Sequence, residues 1–349
     1  MATLTETALL VRKLGKLAII GIFLAVILKI IISAGISYWV ITHPKPLSPP
    51  TVSFGKLPSI RFPKERGVRP QTFNLETIEG RVPEATPQAR VFFISKKLPS
   101  LMASAKARQF AQRLGFKDEP TQETQTRFRF KDKDYPARTL SLDIIDNNFS
   151  LKYDLSVDPQ AGEGKLLLTP EEAVSEAKSF FQGVDSLPNE LATGKNSVSF
   201  FKIIGGKFEE TSSLTDAQVL RVDFFKKELD GKPILPPYFD KSHFYVVIGN
   251  SQDLNKKILE AGYNNWPVEG ENWATYPLKI SQTTWEELKN GGGFIARLGQ
   301  NKETVTIRRI YLAYYDSEET QSYLQPIFVF EGDNNFVAYV PATDPAWIE

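Results

Sequence analysis

Residues Leu17 to Ile41 read LAIIGIFLAVILKIIISAGISYWVI, which is 25 residues with one charge, at Lys29. A helix rises about 1.5 Å per residue, so this segment exceeds the roughly 30 Å hydrocarbon core of a bilayer. A lysine at the centre of a span costs about 2.5 to 3.5 kcal/mol of insertion free energy, and the apolar runs on both sides of Lys29 outweigh it. The segment is predicted to span a membrane, with Lys29 either facing a partner helix or carried as a tolerated charge.

The charges that flank this segment predict its orientation. Arg12, Lys13 and Lys16 precede it, and only His43 and Lys45 follow closely. Basic residues favour the cytoplasmic side, so residues 1–16 are expected in the cytoplasm, residues 17–41 in the cell membrane and the bulk of the chain outside. The residues expected to anchor the helix, including an interfacial aromatic pair at its outer end, are Leu17, Phe23, Lys29, Tyr38 and Trp39.

A cleaved signal peptide is the alternative to an anchor. Ser33, Ala34 and Gly35 are small residues of the kind found at cleavage sites. The apolar run is longer than a usual signal peptide core and continues past these residues. An uncleaved anchor is therefore predicted.

The composition of the chain excludes several classes of protein. Among 349 residues there are 42 basic and 41 acidic residues and no cysteine. Binding to nucleic acid requires a concentrated basic surface, which this charge balance does not provide. Without cysteine there is no disulfide, no thiolate nucleophile and no cysteine-ligated metal site.

Residues 42–70 form a proline-rich segment beyond the predicted membrane helix. Seven prolines lie between residues 43 and 70, a density that favours extended, semi-rigid backbone. The segment is interpreted as an extracytoplasmic linker. Its apolar residues Phe54, Leu57, Ile60 and Phe62 are expected to dock on the folded region of the same chain or on a partner.

The remaining sequence predicts an α+β fold of antiparallel sheets and packed helices. A first domain is assigned to residues 71–158 and a second region to residues 163–349, which comprises one or two modules. The pattern in both is a helix followed by a meander of strands, without the alternation typical of parallel sheets. Helices are predicted at Pro99 to Gly115, from Thr169 and at Ser281 to Asn290.

Strands are predicted from alternating apolar residues and turn signals. The predicted strands are residues 90–95, 124–130, 138–145, 150–155, 197–204, 219–227, 243–248, 304–315, 326–331 and 335–340. Asp146, Asn147 and Asn148 mark a hairpin turn. Thr169, Pro170 and Glu172 form a predicted capping box at a helix start.

The sequence contains no complete catalytic motif. His243 lies in a strand pattern without a second histidine at ligand spacing, which is typical of a structural residue. Gly194, Lys195 and Asn196 lack the further glycine and the hydroxyl residue of a phosphate loop. No catalytic residue, cofactor or metal is therefore expected.

An aromatic set lies on two predicted strands near the end of the chain. It comprises Tyr311, Tyr314, Tyr315 and Phe330. Core packing and cross-strand pairing account for these residues, and a surface for a partner or ligand is the alternative.

Several segments of the second region together resemble a known family. The segments are LTPEEAVSEAKSFF (168–181), DGKPI (230–234), YPLKISQTTWEELKNGGG (276–293), VTIRRIYLAYY (305–315) and QPIFVFEG (325–332). In this order they resemble the YycH/YycI regulators and related PepSY-like domains, over roughly residues 165 to 341. The resemblance implies one N-terminal membrane helix, an extracytoplasmic α+β region and contact with a membrane sensor kinase.

The sequence thus predicts a single-pass, non-enzymatic protein of the cell membrane. Its outer region is expected to bind a membrane or envelope protein, and the bilayer itself is the other partner. The alternatives are a module that binds a ligand or a cell-wall polymer, for which an exposed aromatic groove is the discriminating feature, and an envelope hydrolase with dispersed catalytic residues.

Overall fold

A computed structural model describes residues 4–42, 48–65, 67–98, 100–164, 168–299 and 303–349. His43, Lys45 and Pro99, which the sequence predictions used, lie outside these ranges. The chain divides into two compact units, Met1–Pro49 and Pro50–Glu349. The first unit is helical, and the second contains two β-sheets.

The first unit consists of helix α1 (Leu4–Thr42). Its apolar part, Gly21–Trp39, has 19 residues with a mean hydropathy of 2.1, and none of this part is buried. The predicted segment 17–41 is thus part of a helix that continues towards the N-terminus. An exposed apolar helix of this length suits a membrane anchor or a signal sequence.

The second unit contains five helices and seventeen strands in its described residues. The helices are α2 (Ala103–Arg113), α3 (Pro170–Gly183), α4 (Asn189–Ala192), α5 (Leu254–Lys257) and α6 (Ser281–Lys289). The strands before residue 212 are β1 (Thr72–Leu75), β2 (Gln88–Ile94), β3 (Thr121–Gln122), β4 (Arg127–Lys131), β5 (Arg138–Asp143), β6 (Phe149–Tyr153), β7 (Asn196–Ile204) and β8 (Lys207–Thr211). The later strands are β9 (Val219–Phe224), β10 (Ile234–Leu235), β11 (Phe244–Ile248), β12 (Ile258–Tyr263), β13 (Val268–Pro277), β14 (Phe294–Arg297), β15 (Thr304–Tyr315), β16 (Tyr323–Gly332) and β17 (Val337–Pro341).

A nine-stranded sheet carries two of the helices on one face. Its strand order is β3-β4-β5-β6-β12-β11-β9-β7-β8, and every neighbouring pair is antiparallel. Helices α2 and α3 pack on it through alanines and phenylalanines such as Ala107, Ala177 and Phe181. The predicted capping box starts α3: the Thr169 hydroxyl accepts from the Glu172 N–H, and the Glu172 carboxylate accepts from the Thr169 N–H.

The second sheet has eight strands and is mostly antiparallel. Its main path is β1-β15-β16-β17-β14, β10 also pairs with β15, and β2 joins β13 to β16. Two pairings, β1 with β15 and β10 with β15, are parallel. Helix α6 covers one face through Trp285 and Leu288. The fold is therefore α+β with mostly antiparallel sheets, as the sequence predicts.

The strands pair across the domain division drawn from the sequence. Strand β6, from the predicted first domain, pairs with β12, and β2 pairs with β13. Both sheets thus combine residues 71–158 with residues 163–349. Alternation of apolar residues identifies a strand but does not identify the strand with which it pairs.

The proline-rich segment docks on this unit. Leu57 is fully buried against Val91, Ala274 and Tyr276, and Leu57 N–H donates to the Trp347 carbonyl at 2.8 Å. Further along, the Phe62 ring stacks on Phe294. The apolar residues of the segment therefore bind their own chain.

Candidate functional site

Among the clefts formed by the described residues of the second unit, two have volumes of about 980 and 990 Å³. One, of about 980 Å³, lies between the open edge of β15 and the chain around β7 and β9, and we call it the edge cleft. The other, of about 990 Å³, lies over the face of the nine-stranded sheet opposite α2 and α3, and we call it the polar cleft. The edge cleft is the more apolar of the two and is the candidate binding site.

Strand β15 forms one wall of the edge cleft. Strand β1 pairs with residues 304–307 and β10 pairs with residues 314 and 315, both parallel to β15. Strand β16 pairs along the opposite edge from residue 307 to residue 315. In the described part of the chain, no strand pairs with residues 308–313 on the edge that β1 and β10 share.

Charged side chains near this edge are held in pairs. The Arg308 guanidinium binds the carboxylates of Glu76 and Asp333, and the Arg309 guanidinium binds that of Glu331. The Tyr311 hydroxyl donates to Glu331 at 2.6 Å. Burial and this hydrogen bond raise the pKa of Tyr311, so the phenol stays protonated.

The opposite wall comes from residues 193–197 and 225–228. A Cβ atom on Gly194 would lie 2.0 Å from the Phe225 carbonyl oxygen, so only glycine allows these two backbones to approach. This packing explains the glycine that precedes Lys195. Lys195 and Lys227 are exposed on this wall, together with Glu228.

A buried ion pair lies at the base of this wall. The Lys226 ammonium lies 3.1 Å from the Asp316 carboxylate and also donates to the Trp266 carbonyl at 3.3 Å. Both charged side chains are almost fully buried. Since Lys226 follows β9 and Asp316 follows β15, the pair joins the two sheets.

The polar cleft contains a second buried ion pair. The Arg221 guanidinium binds the Asp223 carboxylate through two hydrogen bonds of 2.8 Å, and the Ser242 N–H donates to the same carboxylate. Burial raises the pKa of Asp223, and these hydrogen bonds oppose the rise. Arg221 also covers the Tyr245 ring at 3.6 Å. Burial and the nearby Glu260 raise the pKa of Tyr245 to about 12.

The Tyr245 ring packs closely on the neighbouring strand. A Cβ atom on Gly262 would lie 2.3 Å from this ring, so any larger residue there would displace the ring. The ring is therefore held between Arg221 and the β12 backbone and is not presented as an open stacking platform for a sugar.

The histidine of β11 has a structural environment. His243 is buried, and its Nε2 atom lies 2.9 Å from the Asp316 carbonyl oxygen. Within the described residues, no three His, Asp or Glu side chains are placed to hold a metal ion.

The four aromatic residues for which the sequence predicts core packing, with a binding surface as the alternative, separate in the structure. Tyr314, Tyr315 and Phe330 are buried core residues, with 0%, 1% and 0% of their surface exposed, so they cannot contact a partner directly. Only the partly buried Tyr311 lines the edge cleft. Both faces of the sheet are covered near the end of β15, which is why adjacent aromatic residues are buried together.

The predicted anchor residues all lie on α1. Leu17, Phe23, Tyr38 and Trp39 expose 62% to 71% of their surface, and Lys29 is exposed between apolar neighbours.

The sequence did not reveal the edge cleft. The available signal was the length of β15, whose 12 residues exceed what the four-residue β1 can pair.

No family model and no curated protein sequence matches this chain. One matching solved structure is that of an uncharacterized protein from Eubacterium rectale ATCC 33656. The two chains are 12% identical, with a TM-score of 0.38 over 73% of this chain and 82% of the other. These matches assign no family to the chain.

Proposed function

We propose that this chain is a single-pass protein of the cell membrane whose outer region binds a protein partner and catalyses no reaction. The observation that carries the proposal is the exposed apolar helix, Gly21–Trp39, none of which is buried. An uncovered helix of this kind is stable when lipid surrounds it. The basic residues before it favour an orientation with the N-terminus in the cytoplasm and residues 50–349 outside.

The edge cleft supports a role in binding. It combines an open strand edge with apolar side chains, and exposed Ile78 lies at its rim. Partner proteins commonly add a strand or insert apolar side chains at surfaces of this kind. Catalysis has less support, because the carboxylates of Asp223 and Asp316 are each bound to a buried cation.

The resemblance to the YycH/YycI regulators suggests the class of partner. A membrane sensor kinase of the cell envelope would lie in the same bilayer as α1, so both the helix and the outer region could contact it. Lys29 would then face a polar group of the partner helix.

Crosslinking in intact cells tests this function. Cells expressing the tagged full-length chain are treated with a short crosslinker, and proteins bound to it are identified after solubilisation. The matched control replaces residues 1–42 with an unrelated membrane helix. A specific membrane protein recovered with the natural chain supports the proposal. The proposal is contradicted if no partner is recovered and if cells that carry the exchanged helix behave like cells with the natural chain.

A further inference from the structure

We propose that the edge cleft is a site of strand addition, in which an extended segment of a partner protein pairs with residues 308–313 of β15. The inference rests on the proposed function and names the mode of binding. Strand β15 is paired at both ends of this edge, by β1 and β10, and no strand from the described residues pairs with it between them. The site is thus a gap in a row of strands whose two ends are filled.

The backbone at the gap has hydrogen-bonding groups directed outward. Tyr314 N–H donates to the Pro233 carbonyl at 2.8 Å, so the backbone of Tyr314 faces the side of β10. Strand geometry repeats every two residues, and therefore Leu312 and Ile310 direct their N–H and C=O groups to the same side. The pairing with β16 supports this direction. Pro326 lies opposite Tyr314, and its carbonyl accepts from the Ala342 N–H on the far side of β16, so it does not bond to Tyr314.

A change of register near residue 308 explains why the gap begins there. The Ile307 carbonyl of β15 accepts from the Glu76 N–H at 3.0 Å, next to the end of β1. Directly after it, the register of the pairing between β15 and β16 shifts between Ile307 and Arg309. A bulge of this kind bends the strand and ends regular pairing. The open stretch of six residues is about 20 Å long at roughly 3.3 Å per residue, which suits an added strand of four to six residues.

The side chains around the gap define the chemistry of the occupant. Pro83, Ile310, Tyr311 and Phe239 line the cleft, so alternate side chains of an added strand meet apolar groups. The facing wall presents Lys195 and Lys227 against Glu228. Glu79 also lines the cleft, so these four charges balance and select no particular charge in the added segment. The occupant is therefore an extended, partly apolar segment, whose backbone pairs with β15 and whose alternate side chains meet the apolar lining of the cleft.

Peptide binding to the full-length chain in lipid nanodiscs tests the proposal. The probe is the tightest-binding peptide selected from a phage-displayed library of random decapeptides. It is synthesised in versions that are N-methylated at one position each. Affinity should fall at every second position, by about 2- to 10-fold for each lost hydrogen bond, and should be unchanged at the positions between.

Site-specific crosslinking locates the bound peptide. The chain has no natural cysteine, so a benzophenone attached to Lys195→Cys reports on the edge cleft alone. The matched control is Lys207→Cys, an exposed lysine at the other end of the β7–β8 hairpin. The peptide should crosslink to the first variant and not to the second.

The other outcomes overturn the inference in distinct ways. Binding that is insensitive to N-methylation would show recognition by side chains alone. Crosslinking only at the control position, or selection of no peptide, would place no strand at β15. Crosslinking of Lys195→Cys to a second copy of the chain would assign the gap to self-association. In each case a partner recovered from intact cells would leave the proposed function standing.

Discussion

The ion pair between Lys226 and Asp316 provides a measurable test of how the two sheets are joined. The Lys226→Met variant keeps an unbranched side chain of similar length but leaves the Asp316 carboxylate buried without its cation. The two side chains expose only 4% and 6% of their surface. Removing one partner from a buried pair costs about 3 to 5 kcal/mol of unfolding free energy.

Urea unfolding of the detergent-solubilised chain measures this loss. With a slope of about 3 kcal/mol per molar urea, the midpoint should fall by about 1 M or more. In the double variant Lys226→Met/Asp316→Leu most of the loss should be recovered, because no unpaired charge remains. The exposed control Lys207→Met should stay within about 0.5 kcal/mol of the natural chain.

Two results would refute the reasoning. A loss below about 1 kcal/mol for Lys226→Met would mean that the carboxylate is hydrated or paired elsewhere. A double variant as unstable as the single variant would mean that packing around the lysine stem, and not the charge, provides the stability.

Three further predictions concern the docked segment and a helix start. Leu57→Ala should lower the unfolding free energy by about 2 to 5 kcal/mol and speed proteolysis of residues 50–62, because a fully buried side chain is truncated. Thr169→Ala should lower it by about 1 kcal/mol, measured as a urea midpoint, because the cap of α3 is lost. Partial burial raises the pKa of Glu65, but hydrogen bonds from Arg69 and from Ile295 N–H outweigh this and lower it. The stability that Glu65 contributes should therefore be present at pH 7 and be lost as the pH falls below about 4, measured as the difference in urea midpoint between the natural chain and Glu65→Gln.

Each of these predictions has a contradicting outcome. Unchanged proteolysis of Leu57→Ala would mean that the segment is not held by this contact. A urea midpoint for Thr169→Ala equal to that of the natural chain would mean that the Thr169 side chain does not stabilise α3. A difference for Glu65→Gln that persists at pH 3 would show that the charge of Glu65 is not its cause.

Features encoded within a few neighbouring residues could be predicted from the sequence. The capping box at Thr169 and the hairpin at Asn147, whose φ is 60°, are formed as expected. Helix α6 and strand β15 also have the predicted bounds to within one residue. In each case the signal and the structure lie in the same stretch of chain.

Features that depend on distant pairing could not be predicted. Strand β13 reads VEGENWATYP, which has no regular alternation, and it forms because β2 provides its ladder from about 180 residues earlier. The edge cleft likewise depends on β1 and β10 meeting β15 at separate points. For the aromatic residues of β15 the sequence predicts core packing but leaves a binding surface open, because a strand that is buried on both faces has the same composition as an exposed aromatic patch.

The orientation of α1 in the membrane decides whether residues 50–349 lie outside the cell. A single cysteine in place of exposed Lys207 is treated in intact cells with a membrane-impermeant maleimide, followed by a carbonate wash and separation by mass. Labelled protein should appear at the full 39.3 kDa in the membrane pellet. Labelling only after the cells are opened, or a shorter labelled protein in the wash, would contradict it.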